Sequence, residues 1–135
     1  MSDSEGAGTE KPRAIVVGHG DFAAGLVSAV AQICGLADKL VVLSNTGMAP
    51  GDIEAAIRDH LARTGANVIF TDLPGGSATI AARRIAKENP DIVLVSGVNL
   101  ATLLDFVFSS AGTPEQAARA AAERGKASLI VIARG

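Results

Sequence analysis

Four short polar stretches, each just past an apolar run, hold the residue types that could do chemistry: Gly18-His19-Gly20, Ser44-Asn45-Thr46, Thr71 to Ser77, and Ser96 to Asn99. A neutral imidazole attacks phosphorus when one ring nitrogen is free and a carboxylate holds the other as a donor. His19 is the candidate nucleophile and Asp72 the candidate carboxylate, which would also stabilise the cationic ring formed as a phosphoryl group arrives. If Asp72 holds Nδ1, the phosphoryl group goes to Nε2. The arriving dianion needs donors, and Gly75-Gly76-Ser77 opens a helical stretch whose N–H groups and Ser77 hydroxyl can supply them. No Lys or Arg lies in these loops, which suits a phosphoryl group that must leave again.

Two other chemistries fit less of the pattern. Gly18-His19-Gly20-Asp21-Phe22-Ala23 matches G-x-G-x-x-A, the alanine-ended dinucleotide fingerprint. The acid expected about 20 residues on, which would hold the ribose, is replaced by Ser44 and Asn45. Gly75-Gly76-Ser77-Ala78-Thr79 is one residue from a nucleophile elbow, but both histidines precede the serine, the reverse of that fold's order. His60 falls at the edge of a helical apolar stripe and reads as structural. Asp21, Asn99 and Thr71 read as loop-shaping residues, and Arg83 and Arg84 as a solvated helix face.

The elements that must position these residues are legible from periodicity. Apolar, β-branched runs at Ala14 to Val17, Leu40 to Leu43, Asn67 to Phe70 and Ile92 to Val95 alternate with helical stretches. Continuous apolar strands between helices predict a parallel sheet covered on both faces. Phe22, Leu26, Val30 and Ile33 mark one helix. A second runs from Pro50 to a Gly65 cap, and a third has Ser77 as N-cap and ends before Pro90. Leu100 to Phe108 make a fourth. A fifth begins at the capping box Thr113-Pro114-Glu115-Gln116 and ends at Gly125. A last run, Ser128 to Ala133, follows two consecutive helices and predicts an antiparallel edge strand able to pair with another subunit. The expected fold is a three-layer α/β/α domain with four parallel strands plus that edge strand. In an open α/β sheet the chemistry gathers at the carboxyl ends of the strands, which would unite His19, Asp72 and Ser77.

Bulk composition narrows the partners. The chain has 135 residues, enough for one domain with its own core. Aromatics make up 3%, with no Trp or Tyr, which argues against a stacking platform for single-stranded nucleic acid. A net charge of -2 without a dense basic tract weakens counterion release on a duplex, and no nucleic-acid partner is expected. The lone Cys34 has no activating cation nearby and reads as inert. No metal-ligand spacing occurs, and neither a metal nor a cofactor is expected. Residues 1–12 read as a disordered tail and 13–135 as the single domain. Without a leader or a bilayer-length apolar stretch, a cytoplasmic protein is expected.

Three segments, "VVGHGDFAAGL", "FTDLPGGSATIAA" and "VSGVNLATLLDF", together resemble the enzyme IIA component of the mannose class of the bacterial phosphoenolpyruvate-dependent sugar phosphotransferase system. The resemblance covers nearly all of the chain after the tail. It implies that His19 takes a phosphoryl group from phospho-HPr and passes it to a histidine of a IIB partner, for sugar uptake or regulation. It implies further that Asp72 orients His19, that Gly75, Gly76 and Ser77 approach the phosphoryl group, and that PTS partners bring the protein to the inner face of the membrane. It also implies a homodimer in which the final strand crosses between subunits. Where the family commonly has Pro-Phe-Asn after Gly-Gly-Ser and a proline after Gly-Val-Asn-Leu, this chain has Ala78-Thr79-Ile80 and Ala101. The phosphotransfer subunit of the dihydroxyacetone kinase system, which shares the fold and the N-terminal histidine, is the nearer alternative, and a nucleotide-binding module is the alternative of another class.

Overall fold

The computed structural model describes residues 12–110 and 112–135. Strands β1 (Ala14–Gly18), β2 (Leu40–Ser44), β3 (Val68–Thr71) and β4 (Val93–Ser96) form one sheet in the order β2-β1-β3-β4, and each neighbouring pair is parallel. Helices α1 (Phe22–Cys34), α2 (Pro50–Thr64), α3 (Ser77–Glu88), α4 (Leu100–Phe108) and α5 (Pro114–Ala127) cross over between and beyond them.

Alternation along the strands decides which helix goes where. Ala14, Val16, Val68 and Phe70 point to one face, where Ala23, Val27 and Val30 of α1, Leu103 and Phe106 of α4 and Ala118 of α5 bury them. Ile15, Val17 and Ile69 point to the other, under Ile53 and Ile57 of α2 and Ala78, Ala82 and Ile85 of α3. The result is the expected three-layer α/β/α arrangement. Left-handed glycines end α1 and α2, Gly35 at φ 73° and Gly65 at φ 77°, a conformation glycine adopts without a Cβ penalty. At α5 the expected capping box forms, with Gln116 N–H donating to Thr113 Oγ1 at 3.1 Å and Thr113 N–H to Gln116 Oε1 at 2.8 Å.

Three expectations are corrected. Residues 128–135 join no ladder among the described residues, so the chain's own sheet has four strands. Apolar β-branched composition supplies a willing strand but not the neighbour whose backbone it must bond. Ser77 is the first helical residue of α3 rather than its cap; Gly76 takes the cap position in extended conformation. Gly125 does not end α5, which continues to Ala127. A Cβ there would collide with Thr102 Oγ1, so this glycine permits close approach of α4 and α5. The tail expected over residues 1–12 lies outside the described residues except for Pro12.

Candidate functional site

From β1 the chain passes to β2 on one side and later returns through β3 on the other, so the order of the sheet reverses between β1 and β3. A crevice opens at the carboxyl ends of strands at such a point. Val17 pairs with Thr71 across it, and two residues past Val17 stands His19, one past Thr71 stands Asp72.

His19 Nδ1 lies 2.7 Å from Asp72 Oδ2, and the His19 backbone N–H donates to the same oxygen at 3.0 Å. Asp72 Oδ1 accepts from Leu73 N–H at 2.9 Å. The carboxylate is therefore fixed at both oxygens and the imidazole at one nitrogen; among the described residues nothing bonds Nε2. Exposure separates the two partners: the His19 side chain is 59% exposed and that of Asp72 6%. Burial pushes the Asp72 carboxyl up. The hydrogen bonds from the His19 ring and backbone, the attraction of that ring in its protonated form and the Leu73 N–H together outweigh it, and hold the group below its ordinary 3.8.

The flanking glycine is required by this approach. A Cβ on Gly18 would sit 2.7 Å from Phe22 Cδ2 and 3.1 Å from Asp72 Oδ2. Gly20 turns at φ 53° and donates its N–H to Thr46 Oγ1 at 2.9 Å. The His19 and Gly20 N–H groups are thus both taken by side chains, which leaves fewer donors for a pyrophosphate in this loop. Asn45, in the place of the ribose acid, is buried and turned toward Ser77.

On the other side of Asp72, a Cβ on Gly76 would lie 3.5 Å from its Oδ1, which puts the start of α3 beside the His19–Asp72 pair. Gly76 N–H closes a turn onto the Leu73 carbonyl at 3.1 Å and is occupied, whereas among the described residues the Ser77 N–H has no partner. The Ser77 hydroxyl accepts from Asn45 Nδ2 at 3.2 Å. Thr71 and Thr79 are buried beneath the loop with hydroxyls 2.7 Å apart. Asn99 caps α4, accepting from Thr102 N–H at 2.9 Å, and donates to the Gly125 carbonyl at 3.0 Å. Asp21 is exposed at the start of α1 without a side-chain cap. Arg84 pairs with Glu54 at 3.3 Å on the outer face, and the His60 ring lies 3.4 Å from Arg63, far along α2 from this edge.

The family described as the PTS system fructose IIA component (EIIA-man) matches residues 13–123. The chain belongs to this mannose-class EIIA family. It is thus a IIA-type component of the phosphoenolpyruvate-dependent sugar phosphotransferase system. Solved structures agree on the EIIA fold. The phosphotransferase system component EIIA from Streptococcus agalactiae superposes with a TM-score of 0.81 at 23% identity, covering 88% of this chain and 95% of that one. The mannose/sorbose specific IIA subunit from Enterococcus faecalis gives 0.80 at 23%, covering 93% and 98%. The PTS IIA protein associated with the fucose utilization operon of Streptococcus pneumoniae gives 0.74 at 21%, covering 91% and 94%. No curated protein matches the chain in sequence.

Of the residues set apart in the sequence comparison above, Ala78, Thr79 and Ile80 lie in the first turn of α3 and Ala101 is half-buried at the start of α4. Thr79 faces inward and is 1% exposed, whereas Ile80 is 56% exposed at the surface. Among the described residues no cluster of His, Cys, Asp and Glu could hold a metal ion, and no helix is long and apolar enough to cross a membrane. Cys34 is a half-buried thiol on α1 whose Sγ donates to the Val30 carbonyl at 3.4 Å. A cleft of about 620 Å³ lies at the amino ends of the strands, away from His19. There Arg13 donates to the Phe106 and Ser109 carbonyls and Lys39 to that of Val107, so these cations finish the end of α4.

Proposed function

We propose that His19 is the phosphoryl-carrying residue of this EIIA component, accepting from phospho-HPr and donating to a IIB histidine. The observation that carries this is the 2.7 Å contact of Nδ1 with Asp72 Oδ2. It keeps the Nδ1 proton in place and leaves the exposed Nε2 lone pair for in-line attack. The P–N bond to the donor histidine breaks as the P–N bond to His19 Nε2 forms, and the electron pair of the broken bond returns to the donor ring. Asp72 offsets the positive charge of the phosphorylated imidazole. The Ser77 N–H and hydroxyl at the start of α3 support the phosphoryl oxygens, with Gly75 and Gly76 shaping the turn that presents them.

Residues 13–135 act as one cytoplasmic domain, brought to the inner face of the membrane through its PTS partners. Two copies pair through their last segments, Ser128 to Ala133, each supplying an edge strand to the other.

Incubation with phosphoenolpyruvate, enzyme I and HPr should add one acid-labile phosphoryl group to the protein. His19→Ala should abolish the label and His60→Ala should keep it. Label retained in folded His19→Ala would overturn the assignment.

A further inference from the structure

Asn45 stands one residue past β2 and is 4% exposed. Its N–H donates to the carbonyl of Gly18, the residue before His19, at 3.0 Å, and its own carbonyl accepts from Met48 N–H at 3.1 Å. The backbone is thereby anchored to the His19 turn. From there the side chain reaches the start of α3, where Nδ2 donates to Ser77 Oγ at 3.2 Å. Oδ1 is buried and, among the described residues, has no partner.

A buried asparagine with half of its amide unmatched calls for an explanation. Turned over, the amide would let Oδ1 take the Ser77 proton, but would leave the NH2 group buried and unmatched. Orphaned N–H donors are rarer than under-satisfied carbonyls. The two orientations give Ser77 opposite roles. With Nδ2 facing it, the Ser77 oxygen uses a lone pair on Asn45, and its single hydroxyl proton is left for another acceptor. No such acceptor occurs for it among the described residues; an anionic oxygen on His19 would be one.

We propose that Asn45 is a positioning residue for phosphoryl transfer: by donating to Ser77 Oγ it directs the Ser77 hydroxyl proton toward the phosphoryl group carried by His19. The inference rests on the reading of His19 as the phosphoryl carrier. It assigns the β2 end, which carries no nucleophile or acid, a part in the same chemistry.

The test is a double-variant cycle read by single-turnover transfer from phospho-HPr and by the phosphorus resonance of phosphorylated His19. Asn45→Ala removes the donor and should slow transfer about two- to tenfold, the range for one neutral hydrogen bond. In the Ser77→Ala background the same change should have no further effect on rate or resonance. Asn45→Asp keeps the shape and forces the Ser77 proton inward, so it should slow transfer at least as much as Asn45→Ala; it carries the cycle if the alanine variant does not fold. Transfer at the parent rate in both variants, or a full loss that persists without Ser77, would refute the positioning role. A His19→Ala protein that still takes up phosphoryl would instead refute the site reading beneath it.

Discussion

At the scale of single residues, the carboxylate of Asp72 bears on stability and, on the proposed function, on phosphoryl transfer. Its folded pKa is lowered, with burial opposing and the His19 and Leu73 hydrogen bonds prevailing. A depressed carboxylate adds stability at pH values above its unfolded pKa, and that stability is lost as pH falls through the folded pKa. Denaturant titrations of the parent protein should therefore show a steeper loss than those of Asp72→Asn as pH falls below the carboxyl's ordinary 3.8. A parallel pH dependence in the two proteins would remove the coupling. The same variant keeps an acceptor for the ring but loses the charge that offsets a phosphorylated imidazole. Its transfer rate should fall about ten- to a hundredfold, the worth of a charge-assisted bond, while circular dichroism stays unchanged; transfer at the parent rate would leave Asp72 a merely structural role.

At the scale of elements, the loop from Asp72 to Ser77 is held by a hydroxyl on α3. Thr79 Oγ1 donates to the Leu73 carbonyl at 2.6 Å. Having one proton, it must accept from Thr71 Oγ1 at 2.7 Å and Ser96 Oγ at 3.1 Å. One buried atom thus ties α3 to the ends of β3 and β4. Thr79→Val should cost about 1 to 3 kcal/mol of unfolding free energy by leaving hydroxyl partners unmatched, and Thr79→Ser should cost less; equal stability of Thr79→Val and the parent would contradict this. Little of this ladder was legible in the sequence, because a buried Thr among Ala and Ile residues leaves no periodic mark. Asn45 was legible as a strand-end residue but not its contact with Ser77: that partner is 32 residues away, and only the fold brings them together. The four strands were legible, each ending one residue later than its apolar run suggested, at Gly18, Ser44, Thr71 and Ser96. Backbone ladders do not stop where side chains turn polar. The meeting of His19 and Asp72 was also legible, since strand ends in a parallel sheet converge by construction. Gly125 was misread because a glycine near a helix end signals a cap and a helix contact equally well.

At the scale of the whole molecule, the last residues are the part that one chain leaves unpacked. Leu129, Ile130, Val131 and Ile132 are 83%, 68%, 90% and 89% exposed, and burying such side chains is worth about 1.5 to 3 kcal/mol each. Consecutive exposed aliphatic residues on a chain otherwise folded around two cores mark an interaction site. Leu129 borders a cleft with Val95, Ser96 and Gly97 at the end of β4, and β4 is an edge strand with one unpaired side. A two-fold exchange, in which each copy lays its segment along the other's open edge, would satisfy both the backbone groups of β4 and the aliphatic side chains. The full chain should then sediment as a dimer at micromolar concentration, and a variant ending at Ala127 as a monomer of lower melting temperature. Because His19, Asp72, Asn45 and Ser77 all come from one chain, that monomer should still accept a phosphoryl group on His19. A full chain that sediments as a monomer would overturn the exchange, while leaving the chemistry at the β1–β3 crevice untouched.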